Sequence, residues 1–565
     1  MDGRAQASSF PELPQIRQLL SWCASTKIHI DPKLQIRPHD GGLAVFSSGE
    51  VIPPFVTLVK ISKNAILSVK STSIASTIRT ESYGLEAQLG LALALYLEIA
   101  KGEDSKWFGY LQSLPSQVDL PVFWGLGSGT TEIDEDGKTA LSWLKGSEVE
   151  RDFVVPPRAK EAAINAFFEN HTLPFFSKDL GDSFIPQSDG FHRAYSLVSS
   201  RAFLVDAYHG LSMVPIADAF NHTVENHVHL EVAMSFPPCL DVKSSTHSKS
   251  LPPQSEFEVC PECGSLQECP HDQDIDVDSS SASEHTRSKM RMAKDEEHDA
   301  YDDDCYEMVS NTGIPPFSEV FNTYGETLSN AQLLVQYGFL LDVNENDRIT
   351  WNLEEVWSTG TDTTTLRVPL DLVCDMWYQV QEDLEKLCRR FDDTDSELIY
   401  YNAHRSPNSS SKRKKGHRDR DWDTFCINSD GKVSHQLWAL CGLIECLKDG
   451  VHAAEPEGAD AVAEMKTVVK ILARMVEAQV KCEEEDHGDD DEEMVPDSEE
   501  STGMISLLLS QTASSILSLC RRKKASMGPE NVDISTGDIG DMLDQSKNET
   551  RNDAGYGRAV HDWQL

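Results

Sequence analysis

The order of apolar and polar positions divides this chain into segments of different period, and each period predicts a local structure. Residues 15–23 place their apolar side chains on one helical face. Gly41-Gly42-Leu43-Ala44-Val45-Phe46, with Gly49 beyond it, reads as a glycine turn that enters a strand and turns again. Residues 55–61 are rich in β-branched types and predict another strand. The leucine and alanine density of 84–100 predicts a buried helix, whose apolar surface Trp107, Phe108, Tyr110, Leu111 and Leu114 extend before Pro115 interrupts it. Helices are expected over 159–170 and 194–204, then a turn at Gly210, a short apolar run over 211–216 and a strand over 228–234. Strand character returns at 320–324, followed by a helix over 328–337.

Between these blocks the pattern fails. From about Cys239 to Cys305, Ser, Asp, Glu, Lys and His dominate, and few groups could repay the entropy of folding. A disordered insert over 240–305, inside one catalytic region spanning 15–350, is the expectation; a helical insertion around 85–205 belongs to the same region. After 341 the composition becomes more helical, with helices expected at 368–390, 433–447, 459–480 and 505–520. In the third of these Met465, Val468, Val469, Leu472, Met475 and Val476 recur at helical spacing. A helical domain over 351–525 follows, with flexible loops at 404–430 and 483–500 and a loose tail at 526–565. The fold class expected is α+β.

Composition narrows the partners. The 565 residues carry 50 Lys and Arg against 93 Asp and Glu, a net charge of −43. That field disfavours direct nucleic-acid binding and favours a basic protein or protein tail. The N-terminus has no basic region followed by a long apolar stretch, and no run of 18 or more apolar residues could span a bilayer. Thirteen scattered cysteines make no small disulfide framework, so a reducing compartment is expected. The basic clusters KRKK at 412–415 and RRKK at 521–524 are candidate sites for an import receptor, a nucleic acid or an acidic protein, with a plain solvated charge as the alternative. The first points to the nucleus, with the cytoplasm as a further location. The run at 483–500 holds 12 acidic residues in 18, which repulsion keeps solvated.

Candidate chemistry concentrates in two places. Asp218-Ala219-Phe220-Asn221-His222 sets three polar groups directly after the apolar run SMVPI. Locally, Asn221 could cap a helix and His222 could be a satisfied core histidine. About 100 residues later, Tyr324-Gly325 and Tyr337-Gly338 flank an apolar helix, and two tyrosines at such turns can line a channel and orient a polar ligand. Separately, Cys260, Cys263, Cys269 and His271 fall within 12 residues and could surround zinc. The Cys269-x-His271 half is tight and its surroundings polar, so a loop without metal is the preferred reading.

Together these segments resemble the SET-domain protein-lysine methyltransferases, in the branch typified by the Rubisco large-subunit methyltransferase and related nuclear and ribosomal-protein enzymes. The matching stretches are DGGLAVFSSGEVIPP, LEAQLGLALALYLEIAKGEDSKWFGYLQSLP, SRAF followed by VPIADAFNH, and TYGETLSNAQLLVQYGFL. They cover approximately residues 15–350. The resemblance implies a β-rich SET fold with a helical insertion, followed by a helical substrate-binding domain. It implies S-adenosyl-L-methionine as cofactor, held by the loop of Asp40, Gly42 and Ala44, by Arg201 of SRAF and by Asn221 and His222. It implies Tyr324 as the active-site tyrosine, with Tyr337 and Asp218 at the substrate channel. The reaction implied is methyl transfer to a lysine amine of a protein, with a basic nuclear or ribosomal protein as the expected substrate; a catalytically weak SET-like interaction scaffold is the alternative. One departure stands out: related enzymes often have Gly-Glu where this chain has Ser318-Glu319.

Overall fold

The computed structural model describes residues 13–39, 41–78, 81–125, 135–153, 159–179, 184–206, 208–232, 305–359, 369–378, 399–400, 425–450 and 499–527. The expected insert up to residue 304, the cluster Cys260, Cys263, Cys269 and His271, Asp40, KRKK at 412–415 and the helix expected at 459–480 lie outside them. Contacts divide the chain into two units: residues 1–138, 153–328 and 332–339 form one, and 139–152, 329–331 and 340–565 the other.

The first unit is α+β. Its strands are β1 (His29–Ile30), β2 (Leu34–His39), β3 (Gly42–Ser47), β4 (Thr57–Ser62), β5 (Leu67–Ser68), β6 (Ala202–Asp206), β7 (Gly210–Met213), β8 (Val228–Val232) and β9 (Cys305–Ser310). They make three small sheets, ordered β1-β4-β9-β8, β5-β7-β6 and the hairpin β2-β3. In the hairpin, His39 pairs with Gly42, which puts the glycine turn at its tip. The helix Gly84–Lys101 is apolar on nearly every side and is correspondingly buried. It packs against the helix Ser188–Arg201, where Gly190 lies so close to the Tyr96 ring that an added Cβ would stand 2.6 Å from it. Burying each Leu-sized side chain here contributes roughly 1.5–3 kcal/mol. The one carboxylate buried on the long helix, Glu98, accepts from Lys101 Nζ and Ser105 Oγ, both at 2.7 Å.

Two expectations need correction. The helix expected to run to residue 204 ends at Arg201, and Ala202–Asp206 is a strand paired with Gly210–Met213. The apolar run looked helical because its strand partner lies beyond the turn at Gly210. The segment 320–324 is no regular strand; it is held by isolated bridges, Phe46 to Glu319 and Asn322 to both His222 and Val228.

A pair of turns in this unit is related by a local two-fold. The sequence Ile-Pro-Pro-Phe occurs at 52–55 and again at 314–317. Ile52 and Ile314 exchange backbone hydrogen bonds of 3.1 and 2.9 Å. The Phe55 amide donates to Ser310 O at 2.7 Å and the Phe317 amide to Ser48 O at 3.0 Å. Ser310 Oγ donates to Pro53 O and Ser47 Oγ to Pro315 O; the symmetry breaks by one residue here, since Ser48, not Ser47, corresponds to Ser310 in the backbone pairing. Both phenylalanines take left-handed backbone, φ +63° and +58°. The second turn is thus made with Phe317, adjacent to Ser318, as its left-handed residue.

The second unit holds the strands β10 (Arg348–Thr350), β11 (Ile399–Tyr400), β12 (Cys426–Asn428) and β13 (Val433–Ser434) in the order β10-β12-β13-β11. Strands of two or three residues show no period in the sequence, so a helical domain with loops is expected here; instead Cys426–Asn428, within the loop expected at 404–430, and Val433–Ser434, at the start of the helix expected over 433–447, are strands. Its core joins Trp351, Trp377, Phe425, Leu437 and Leu440 to Leu508, Ile516 and Leu519 of the helix Glu499–Ser526. RRKK at 521–524 falls in the last turns of that helix, where positive charge complements the helix dipole.

Candidate active site

The site begins where β7 ends. Met213, Val214, Ile216, Ala217 and Phe220 are all fully buried, and Ile216 adopts φ +73°. A β-branched residue in that region is strained by about 1–3 kcal/mol, a cost tolerated where the surroundings over-determine it. The strained turn leads through a 3-10 turn, Ala217–Ala219, to Asn221 and His222.

The later segment is sewn to it by the backbone. The Asn322 amide donates to Asn221 O at 2.8 Å and the Thr223 amide to Asn322 O at 3.0 Å. His222 Nδ1 accepts the Tyr324 amide at 3.0 Å, which places the ring proton of a neutral imidazole on Nε2. Burial lowers the His222 pKa to about 4, so the ring is neutral near pH 7. The rings of His222 and Tyr324 stack with centroids 5.1 Å apart, Tyr337 lies 4.7 Å from Tyr324, and Phe339 closes on all three at 6.1 to 6.3 Å. Tyr324 Oη donates to Phe220 O at 3.2 Å. Burial, opposed by Arg201 and assisted by Asp218 and Glu319, pushes the Tyr324 pKa up to about 12. The hydroxyl therefore keeps its proton and is an acceptor through its remaining lone pairs. Burial likewise pushes Tyr337 up.

Arg201, at the C-terminal end of its helix, donates through Nη1 to Asp218 O at 2.7 Å, with Asp218 Oδ2 3.8 Å away. Asp218 is buried and accepts from Tyr110 Oη at 2.7 Å. Burial raises its pKa, while Arg201 and the Tyr110 hydroxyl pull the other way. The carboxylate thus faces Arg201 and Tyr110, a framework that orients the guanidinium. Gly42 sits beside it: a Cβ there would stand 3.4 Å from Arg201 Nη2. Ala44, two residues along β3, is fully buried, and β3 packs against the Ala217–Ala219 turn. A cleft of about 650 Å³ opens beside Gly42, lined also by His39, Leu111, Pro115 and Arg193.

Gly42, Arg201, Asp218, Asn221, His222, Tyr324 and Tyr337 are thus parts of one connected arrangement. Three more residues join it. Tyr110 had shown only as part of an apolar surface, Glu319 as a carboxylate without a partner, and Phe339 as an apolar residue after Gly338. Tyr110 and Glu319 acquire their roles through partners 108 and 98 residues away, which local spacing does not signal, and Phe339 closes on His222 as well as on the nearby tyrosines. Among the described residues no group of His, Cys, Asp and Glu is placed to hold a metal ion, and no helix is long and apolar enough to cross a membrane.

Arg201 Nε and His222 Nε2 are buried without a hydrogen-bond partner. Such atoms cost free energy unless a ligand meets them. Both atoms carry a hydrogen and donate, so with the guanidinium they suit a ligand that offers a carboxylate or another hydrogen-bond acceptor.

No family model matches this chain. Among curated proteins it is 26% identical over 352 residues to ribosomal lysine N-methyltransferase 3 of Saccharomyces cerevisiae, covering 56% of this chain and 60% of that protein. It is 26% identical over 235 residues to N-lysine methyltransferase setd6 of Xenopus tropicalis, covering 39% of this chain and 49% of that one. The chain therefore spans 60% and 49% of the length of these two relatives. Among solved structures, the SET domain of LSMT bound to lysine and AdoHcy aligns over 98% of this chain and 88% of its own, at 14% identity and a TM-score of 0.46.

Proposed function

We propose that this chain transfers methyl groups from S-adenosyl-L-methionine to the side-chain amine of a lysine in a protein substrate. The observation that carries the reading is the junction of Asn221-His222 with Tyr324 and Tyr337 in one half-buried aromatic cluster. Relatives named as lysine N-methyltransferases support the same reaction class.

When bound, the cofactor supplies an electrophilic methyl carbon on a positively charged sulfur. Asn221, Arg201 and the backbone around Gly42 and His222 would hold its amino-acid and adenosine portions, which fits the orphaned polar atoms described above. The chain's own groups do the rest. A lysine amine attacks only when neutral, yet its free pKa is about 10.4. Enclosure by the rings of His222, Tyr324, Tyr337 and Phe339 strips water from the amine and favours the neutral form. Tyr324 Oη, its proton engaged by Phe220 O, offers a lone pair that orients the amine. The lost proton passes to solvent before alignment, so no side-chain base is required. Rate enhancement then comes from positioning and from oxygen dipoles already in place.

The substrate in this reading is a basic protein of the nuclear or ribosomal kind, and the chain works in the nucleus and also in the cytoplasm. The net charge of −43, KRKK at 412–415 and the name of the yeast relative support it. The test is incubation of the purified chain with labelled S-adenosylmethionine and fractionated basic proteins, with the modified sites mapped. Label on lysine that disappears in Tyr324→Phe and Asn221→Ala supports the reading. Persistent partner binding with neither cofactor binding nor label would instead favour a scaffold.

A further inference from the structure

We infer that Glu319 is a positioning residue for the cofactor site: its carboxylate fixes which face of the Asn221 amide meets the ligand. The inference rests on the proposed methyl-transfer reading and deepens it. Asn221 Nδ2 donates to Glu319 Oε1 at 2.7 Å, across 98 residues of sequence. An ionised carboxylate only accepts, so an amide in contact with it must present its NH2 group. A neutral partner could be satisfied by either amide orientation. The Asn221 carbonyl oxygen is therefore directed away from Glu319, as an acceptor suited to an ammonium.

Both ends of this contact are held. Ser318 O accepts the Ser47 amide at 2.8 Å and the Val320 amide donates to Val45 O at 2.8 Å, so the residues on either side of Glu319 are clamped to β3. Asn221 is clamped by its own carbonyl, which accepts the Asn322 amide at 2.8 Å. One short segment, 319–322, thus grips Asn221 at its backbone and at its side chain. The local two-fold described above supplies the rigid turn that starts this segment, with Ser318 N donating to Ser47 Oγ at 3.0 Å. The Glu319 carboxylate also adds a negative charge beside a site proposed to receive a cationic ligand.

The experiment is calorimetric binding of S-adenosylhomocysteine to the full chain, its Glu319→Gln, Glu319→Ala and Asn221→Ala variants, and the double variant, with thermal unfolding of each. Loss of a charge-assisted hydrogen bond that orders a ligand group weakens binding roughly tenfold, the expectation for Glu319→Ala. Glu319→Gln keeps the size but loses the accept-only character, so roughly threefold weakening is expected even where folding is unchanged. The double variant should bind no more weakly than Asn221→Ala, because Glu319 acts through that amide. Additive losses in the double variant, or wild-type affinity in both Glu319 variants beside weakened Asn221→Ala, overturn the positioning role and leave the proposed function standing. Wild-type affinity in Asn221→Ala, or no binding by the unaltered chain, overturns both.

Discussion

His222 Nδ1 accepts the backbone amide of Tyr324 at 3.0 Å, so the imidazole of one motif is a structural joint for the other. The joint works only with the neutral ring, because an imidazolium has no acceptor. A histidine whose folded pKa is depressed, here to about 4 against 6.5 when unfolded, binds fewer protons folded than unfolded between those values. Its contribution to stability is therefore complete above about pH 6.5 and lost as pH falls toward 4. Lowering pH from 7 to 5 should cost roughly 2 kcal/mol through this residue alone. Denaturant unfolding at the two pH values tests it against His222→Asn, which keeps an acceptor near the Nδ1 position. The wild type should show the steeper pH dependence, and equal slopes would remove His222 from the account.

The bond from Tyr324 Oη to Phe220 O separates binding from chemistry. Tyr324→Phe keeps the ring and its stack on His222, so affinity for S-adenosylhomocysteine should stay within about twofold. The proposed methyl transfer should fall on the order of a hundredfold, the scale of losing one oriented polar group in an enclosed site. Calorimetry and a single-turnover assay on the same preparation give the two numbers. An equal loss in both would mean that the hydroxyl supports the fold and not the amine.

Asp218 and Arg201 form a buried charge pair whose members are unequal under mutation. Arg201→Met leaves a buried carboxylate with only the Tyr110 hydroxyl as side-chain partner, expected to cost about 3–5 kcal/mol. Asp218→Asn leaves an amide oxygen able to accept from Tyr110, and Arg201 retains its bond to the residue 218 carbonyl, so the cost should be smaller. Urea unfolding of the two variants should rank them in that order; the reverse ranking would show that Asp218 does more than steer the guanidinium.

The sequence made some of this visible and hid the rest for physical reasons. Asn221, His222, Tyr324 and Tyr337 were legible because polar groups sit at abrupt ends of apolar runs, where a plain core has no use for them. The strand Ala202–Asp206 was not, since its apolar residues fit a helix equally well and only pairing with Gly210–Met213 decides. Glu319 and Tyr110 kept their roles hidden because each depends on a partner 98 or 108 residues away. In the second unit, β10 to β13 are too short to carry a period. The expected Cys/His loop, Asp40 and the import cluster at 412–415 fall outside the described residues, so their readings stand on the sequence.

The paired Ile-Pro-Pro-Phe turns yield a prediction about stability. A non-glycine residue in left-handed backbone costs about 1–2 kcal/mol, and Asn bears it better than a bulky aromatic. Phe55 is 70% exposed and Phe317 69%, so neither recovers that cost by burial. Phe317 does lie over Gly49, where an added Cβ would meet its ring at 3.1 Å, and among the described residues Phe55 sits against no such glycine. Phe55→Asn should therefore stabilise the chain by about 1 kcal/mol, raising Tm by about 2–4 °C. Phe317→Asn relieves the same strain but gives up the contact with Gly49, so its gain should be smaller. Thermal unfolding of both variants checks the order; destabilisation by Phe55→Asn would show that this exposed ring makes a contact the local two-fold does not explain.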